Sequence, residues 1–105
     1  MAETAEFFGS FLPNKLEKNP DLAASIGKIF QFDIDGAGTW TLDLTAGSGA
    51  VNEGASDAAD CVITAKKDDW EGLLDSPAKA VQMVMMGKLK VSNLGLATQL
   101  QKILA

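Results

Sequence analysis

The sequence predicts an α+β fold, with five strands in one sheet and helices covering one face of it. Two observations carry the prediction. In "KIFQFDID" and "TWTLDL" apolar and polar residues alternate with a period of two, the pattern of strands with a single buried face. On both sides of this region the apolar spacing becomes helical, punctuated by capping residues, prolines and glycines.

Thr4 can cap a first helix carrying Phe7, Phe8, Phe11 and Leu12, and Pro13 would break it or start a second one containing Leu16. Asn19, Pro20 and Asp21 signal a further helix start, and Gly27 its end. Phe30, Phe32 and Ile34 then share one strand face, and Trp40, Leu42 and Leu44 share the next. "DGAG" between them supplies the positive φ angles of a tight hairpin, and Gly47 and Gly49 do the same before a short strand around Val51. "CVITA" reads as a fourth strand. Asp68 and Glu71 have capping-box spacing ahead of Trp70, Leu73 and Leu74. Ser76 and Pro77 open another helix, which Gly87 closes. "KLKVS" is a fifth strand, placed at an edge by its lysines. Asn93 caps a last helix with one stripe of Leu96, Ala97, Leu100, Ile103 and Leu104 and an overlapping one of Leu94, Ala97, Gln101 and Leu104.

At 105 residues the chain fits a single domain spanning 1–105, without repeat or linker. A net charge of −5 repels a phosphate backbone, which argues against nucleic acid as a partner. The lone Cys61 sits in an apolar run and reads as a buried, inert thiol. No apolar run is long enough for a membrane helix. Neither terminus carries a leader or a peroxisomal signal, so the expected location is the cytoplasm.

With no histidine the chain lacks the usual general base and zinc ligand. The paired glycines lack the rest of a nucleotide fingerprint. Asp57, Asp60, Asp68 and Asp69 fit no calcium-loop spacing and read as caps and solvated groups. We therefore expect no catalytic residue, no metal and no cofactor. Met83, Met85 and Met86, with Val81 and Val84, take up more than one side of their helix, which is then either buried on several faces or the border of a cavity. Phe8, Phe11, Phe32, Trp40, Trp70, Met83, Met86 and the C-terminal leucines are many large groups for one small sheet. An adaptable methionine wall suits a pocket for variable apolar chains.

The stretches "FQFDIDGAGTWTLDL", "ADCVITAKKDDW" and "MMGKLKVSNLGLATQLQKIL" follow one another in the order and spacing of the sterol carrier protein 2 domain family, which this chain resembles from Phe30 to Leu104. The most specific part is Gly87–Val91 followed by Leu96, Ala97, Leu100 and Gln101. Ser92 runs straight into Asn93, where the family often has an extra glycine. The resemblance implies a five-stranded sheet covered by helices and enclosing an apolar tunnel, with the methionine-rich helix and the last helix as walls. It implies a lipid ligand: a sterol, a fatty acid or a fatty acyl-CoA.

The expected function is thus non-enzymatic binding of a lipid, with transfer between membranes through transient membrane contact; the sequence does not specify an oligomeric state. The lipid-binding candidates are Phe8, Phe11, Phe32, Trp40, Trp70, Met83, Met86, Leu94, Leu96, Leu100, Gln101 and Leu104. Gln101 is either a headgroup contact or a solvated or capping residue. Two other readings stand beside this one. An isomerase in an apolar cavity would need Asp33 or Asp43 on the inner sheet face, and a purely structural domain would have no tunnel.

Overall fold

The computed structural model describes residues 4–45, 47, 49–93, 95–96, 99 and 102–103. Its sheet has the order β3-β2-β1-β4-β5, built from β1 (Ile29–Asp35), β2 (Gly38–Asp43), β3 (Ala50–Glu53), β4 (Cys61–Lys66) and β5 (Leu89–Val91). All five predicted strands are present, and β5 is a three-residue edge strand as its lysines suggested.

The β1–β2 hairpin turns where Ala37 N–H donates to Ile34 C=O, with Gly36 at φ +93° and Gly38 at φ +142°. β1 and β2 are antiparallel, so Phe32 stands opposite Trp40 and Phe30 opposite Leu42. β1 also pairs with β4, in parallel, aligning Phe30 with Cys61 and Phe32 with Ile63. Periodicity did not predict that parallel pairing, because it requires the chain to cross from one edge of the meander to the far side of β1.

Residues 54–60 make the crossing over the polar sheet face. Thr41 Oγ1 donates to Gly54 C=O (2.7 Å), Ser56 N–H donates to Gln31 Oε1 (2.9 Å), and Ile29 N–H donates to Asp60 Oδ2 (2.9 Å). Gln31 and Asp33 share that face, whereas Phe30, Phe32 and Ile34 are buried on the other, as strand alternation requires. Neither Asp33 nor Asp43 reaches the apolar face, which denies the isomerase reading its base.

Helices cover the apolar face. Helix α1 (Thr4–Glu6), a π-helical turn (Phe7–Phe11) and α2 (Leu12–Lys18) run on continuously, with helical backbone at Glu6, Phe11 and Leu12. Pro13 takes the second of its two expected roles: it stands in the first turn of α2, the helix that contains Leu16, without interrupting the helical run. Upstream of it Leu12 N–H bonds to Phe7 C=O, five residues back, and this wider winding leaves room for the proline ring. Helix α3 (Pro20–Ile26) ends on Gly27 at φ +59°. Helix α4 (Lys67–Asp75) follows β4 directly, and a 3₁₀ turn (Pro77–Lys79) leads into α5 (Ala80–Met85). Backbone at 95–96, 99 and 102–103 is helical, and Asn93 Oδ1 accepts from Gly95 N–H (3.1 Å), the cap its sequence position predicts.

Two expected caps are corrected. Thr4 is a buried helical residue whose hydroxyl binds Glu71, and Glu71 is committed to Thr4 and closes no capping box with Asp68. The residue before α4 is Lys66, without a side-chain cap. Ser76 stands where expected, directly before Pro77 at the first position of the 3₁₀ turn, and its carbonyl accepts from Lys79 N–H (3.0 Å).

Candidate functional site

β1 and β2 aim Phe32 and Trp40 at the helical layer, and the π-helical turn lowers Phe8 onto them and sets Phe7 edge-on to Trp70. Phe8 lies between two indoles: its ring is 4.5 Å from Trp40 with planes 10° apart, and 5.9 Å from Trp70 with planes 3° apart. Phe32 closes the group at 5.2 Å from Phe8 and 5.3 Å from Trp70. Each such ring pair adds about 0.5–1.5 kcal/mol beyond the area it buries. Trp70 is fully buried, and its indole N–H has no hydrogen-bond partner among the described residues.

A cleft of about 260 Å³ opens between α4 and α5. Asp68, Asp69 and Gly72 line one wall, and Lys79, Gln82, Met83, Met86 and Lys88 line the rest. Its floor reaches the core at Met83, 8% exposed, and its rim is Met86, 57% exposed. The backbone after α5 is fixed by a paired closing motif in which Gly87 N–H donates to Val84 C=O (3.1 Å) and Lys88 N–H to Met83 C=O (2.9 Å), with Gly87 at φ +77°. This turn sets Lys88 beside the cleft.

The predicted site residues therefore divide. Phe8, Phe32, Trp40 and Trp70 come together in the aromatic group, and Met83 and Met86 in the cleft. Leu96 is half-buried and packs on the core. Phe11 stacks on Phe7 (5.4 Å) but is 47% exposed. Leu94, Leu100, Gln101 and Leu104 lie outside the described residues. Of the two readings of the methionine helix, burial on several faces fails and the border of a cleft stands: Ala80 and Met83 are buried, Val84 is half-buried, Val81, Met85 and Met86 are exposed, and Met83 and Met86 line the cleft. Sequence reasoning missed Lys79, Gln82 and Lys88 as cleft residues, although the two lysines flank the methionine run.

At the start of β4, Cys61 is fully buried and its thiol donates to Asn93 C=O (3.8 Å). Burial raises its pKa, although the Asn93 carbonyl and Ser92 pull the other way. The Asp43 carboxyl is held below its ordinary value by the hydroxyl and backbone N–H of Thr45. Partial burial lowers the Lys15 ammonium. Among the described residues no three Cys, Asp or Glu side chains converge as metal ligands, and no helix is long and apolar enough to cross a membrane.

The family model of the SCP-2 sterol transfer family matches residues 8–105. Hydroxysteroid dehydrogenase-like protein 2 of Mus musculus is 38% identical over 80 residues, which make up 72% of this chain and 16% of that protein. Sterol carrier protein 2 of Homo sapiens is 34% identical over 93 residues, 83% of this chain and 17% of that protein. The chain thus spans about a fifth of the length of the curated relatives it matches. The structure of sterol carrier protein 2 from Yarrowia lipolytica, in its apo form, superposes with a TM-score of 0.73 at 28% identity, covering 88% of this chain and 77% of that one. With a family match over nearly the whole chain and a shared fold, the chain belongs to the SCP-2 sterol transfer family.

Proposed function

We propose that this chain is a non-enzymatic lipid-binding module that takes a sterol, a fatty acid or a fatty acyl-CoA into an apolar tunnel and carries it through the cytoplasm between membranes or to an enzyme. Membership of a sterol transfer family supports this reading. The observation that carries it is the cleft wall, where Met83 belongs to the core and Met86, three residues on, belongs to the surface. Flexible thioether side chains thus line the cleft from its exposed rim to a residue of the core, and they can reshape around chains of different form. Each methylene buried there contributes about 0.8 kcal/mol, so eight of them offset several kcal/mol of ordering. Lys79, Gln82 and Lys88 supply donors at the mouth for a carboxylate, hydroxyl or phosphate.

The test uses the two tryptophans. The chain has no tyrosine, so emission excited near 280 nm reports Trp40 and Trp70 alone. Native mass spectrometry of the purified protein should show a co-purified lipid. After delipidation, titration with oleate, cholesterol or an acyl-CoA should change the emission and saturate at one lipid per chain. A protein that emerges lipid-free and responds to none of the three overturns the reading.

A further inference from the structure

We propose that the indole N–H of Trp70 selects the ligand: it donates to a neutral oxygen, a hydroxyl or a keto group, on the end of the lipid that reaches the core. The inference rests on the lipid-carrier reading and adds to it which end of which lipid goes in first.

Trp70 is fully buried, and its Nε1 is the one buried side-chain nitrogen or oxygen without a hydrogen-bond partner among the described residues. A buried indole ordinarily finds an acceptor, because a stranded donor destabilises the state that strands it. Aromatic rings surround this one. Phe8 stacks on Trp70 at 5.9 Å, Phe32 lies tilted at 5.3 Å, and Phe7 stands edge-to-face at 5.9 Å, where a ring face is a weak acceptor. The other buried polar side chains among the described residues are engaged elsewhere: Glu71 Oε2 accepts twice from Thr4, and Thr41 Oγ1 donates to Gly54 C=O on the far face of the sheet. A water molecule would gain one bond from the N–H and find no second in such surroundings, whereas buried waters ordinarily make about three. A ligand oxygen is held in place by its own covalent frame and needs only the one.

Position supplies the second observation. Trp70 shares α4 with Asp69 and Gly72, which line the cleft, and a Cβ added at Gly72 would meet nothing within 4 Å among the described residues. Met83, at the cleft floor, belongs to one hydrophobic core with Trp70, Phe8 and Phe32. A lipid that enters past Met83 therefore runs along α4 toward the aromatic group.

Charge decides which oxygen arrives there. The buried ionisable side chain next to Trp70 in sequence is Glu71, itself an acid, and the core around the indole contains no cation among the described residues. A fatty carboxylate carried inward would lose its water, find no counter-charge and approach a like charge. At the cleft mouth, where Lys79 and Lys88 are exposed, it keeps its hydration. A sterol hydroxyl or ketone carries no charge and goes in first. Sterols and fatty acids thus bind in opposite orientations.

The probes are cholesterol, its analogue lacking the hydroxyl, and stearate. The chain's two tryptophans give two indole N–H signals in a proton–nitrogen correlation spectrum, and Trp40→Phe leaves the one that belongs to Trp70. The parent should bind cholesterol about tenfold more tightly than the deoxy analogue, and cholesterol alone should move the Trp70 N–H proton downfield. Benzothienylalanine in place of Trp70 keeps the bicyclic shape and replaces the N–H by sulfur. It should abolish the tenfold preference and leave the affinities for the deoxy analogue and stearate unchanged, which a purely structural role for the ring would not predict. Trp70→Phe, if folded, should lose the same preference. Equal affinity of the parent for the two sterols, a preference that survives benzothienylalanine, or an N–H proton that responds alike to both sterols would overturn the proposal and leave the carrier reading standing. Binding of stearate with neither sterol would do the same. A protein that binds none of the three probes removes both.

Discussion

The Glu71 carboxylate accepts two hydrogen bonds from Thr4, at 2.9 Å from the backbone N–H and 3.1 Å from the hydroxyl, both on Oε2. Residues 67 apart in sequence are thereby joined where both are buried. The carboxylate satisfies an N–H that helix geometry leaves without an internal partner, and its charge suits a helix N-terminus. Through this bond α4, which carries Trp70, holds the helix that carries Phe8.

Replacing Glu71 by leucine should strand two buried donors on Thr4 and destabilise the fold by about 1–3 kcal/mol. Glu71→Gln keeps an acceptor and should lose less. Urea unfolding followed by tryptophan emission measures both, and equal midpoints for parent and Glu71→Leu would remove the clamp from the account.

Gly49 adopts φ +104°, and a Cβ there would lie 2.9 Å from Leu44 Cδ2 and 3.3 Å from Leu16 Cδ1. Gly49→Ala should therefore combine backbone strain with overpacking at a buried leucine pair, for a loss of about 2–4 kcal/mol. Gly47, with nothing within 4 Å of its would-be Cβ, should lose less on the same change despite its own φ of +59°. Thermal midpoints of the two variants settle the order.

Cys61 should resist a thiol reagent such as Ellman's reagent in the folded protein, because burial both shields the thiol and raises its pKa. A raised folded pKa means that this group's contribution to stability is complete below the ordinary thiol pKa and disappears as pH rises through the raised one. Deletion after Ser92 removes the Asn93 carbonyl over Cys61 and should make it reactive. If the C-terminal residues wall the lipid site, the same deletion, or Leu100→Asp, should weaken binding of a fluorescent fatty acid more than Val51→Ala does. Comparison is restricted to variants that circular dichroism shows to be folded.

Asp43 gives the opposite sign. Its depressed pKa favours the folded state above the ordinary carboxylate range, and that contribution disappears as pH falls through the depressed value. Thr45→Ala should return the Asp43 titration toward the ordinary carboxylate value, read by carbon NMR of the side chain.

The strands were legible because their one-sided burial writes a period of two into the sequence, and Phe30, Phe32 and Ile34 repeat it without a fault. Gly27, Gly87 and Asn93 were legible because each does a local job at a chain reversal or helix start. What escaped depends on distant partners. The alternation in β4 says which face is buried but not that its neighbour is β1 in parallel, and Glu71 at capping spacing gives no sign that Thr4 will claim its carboxylate. The aromatic half of the candidate site was readable as excess apolar volume. The cleft lysines were not, because a lysine on a helix end has the same sequence signature whether it meets a cleft or bulk water.

The crossover that brings β4 against β1 also sets a hazard for a chain made from its N-terminus onward. Until Cys61–Lys66 has emerged, the nascent sheet consists of β1, β2 and β3, with β1 at its margin. That margin is the strand with Phe30, Phe32 and Ile34, and its unpaired N–H and C=O groups are an open template for other nascent chains. Substitutions that weaken β4, such as Ile63→Ala, should therefore lower soluble yield during synthesis out of proportion to their effect on the finished fold, and slower translation between Glu53 and Cys61 should deepen the loss.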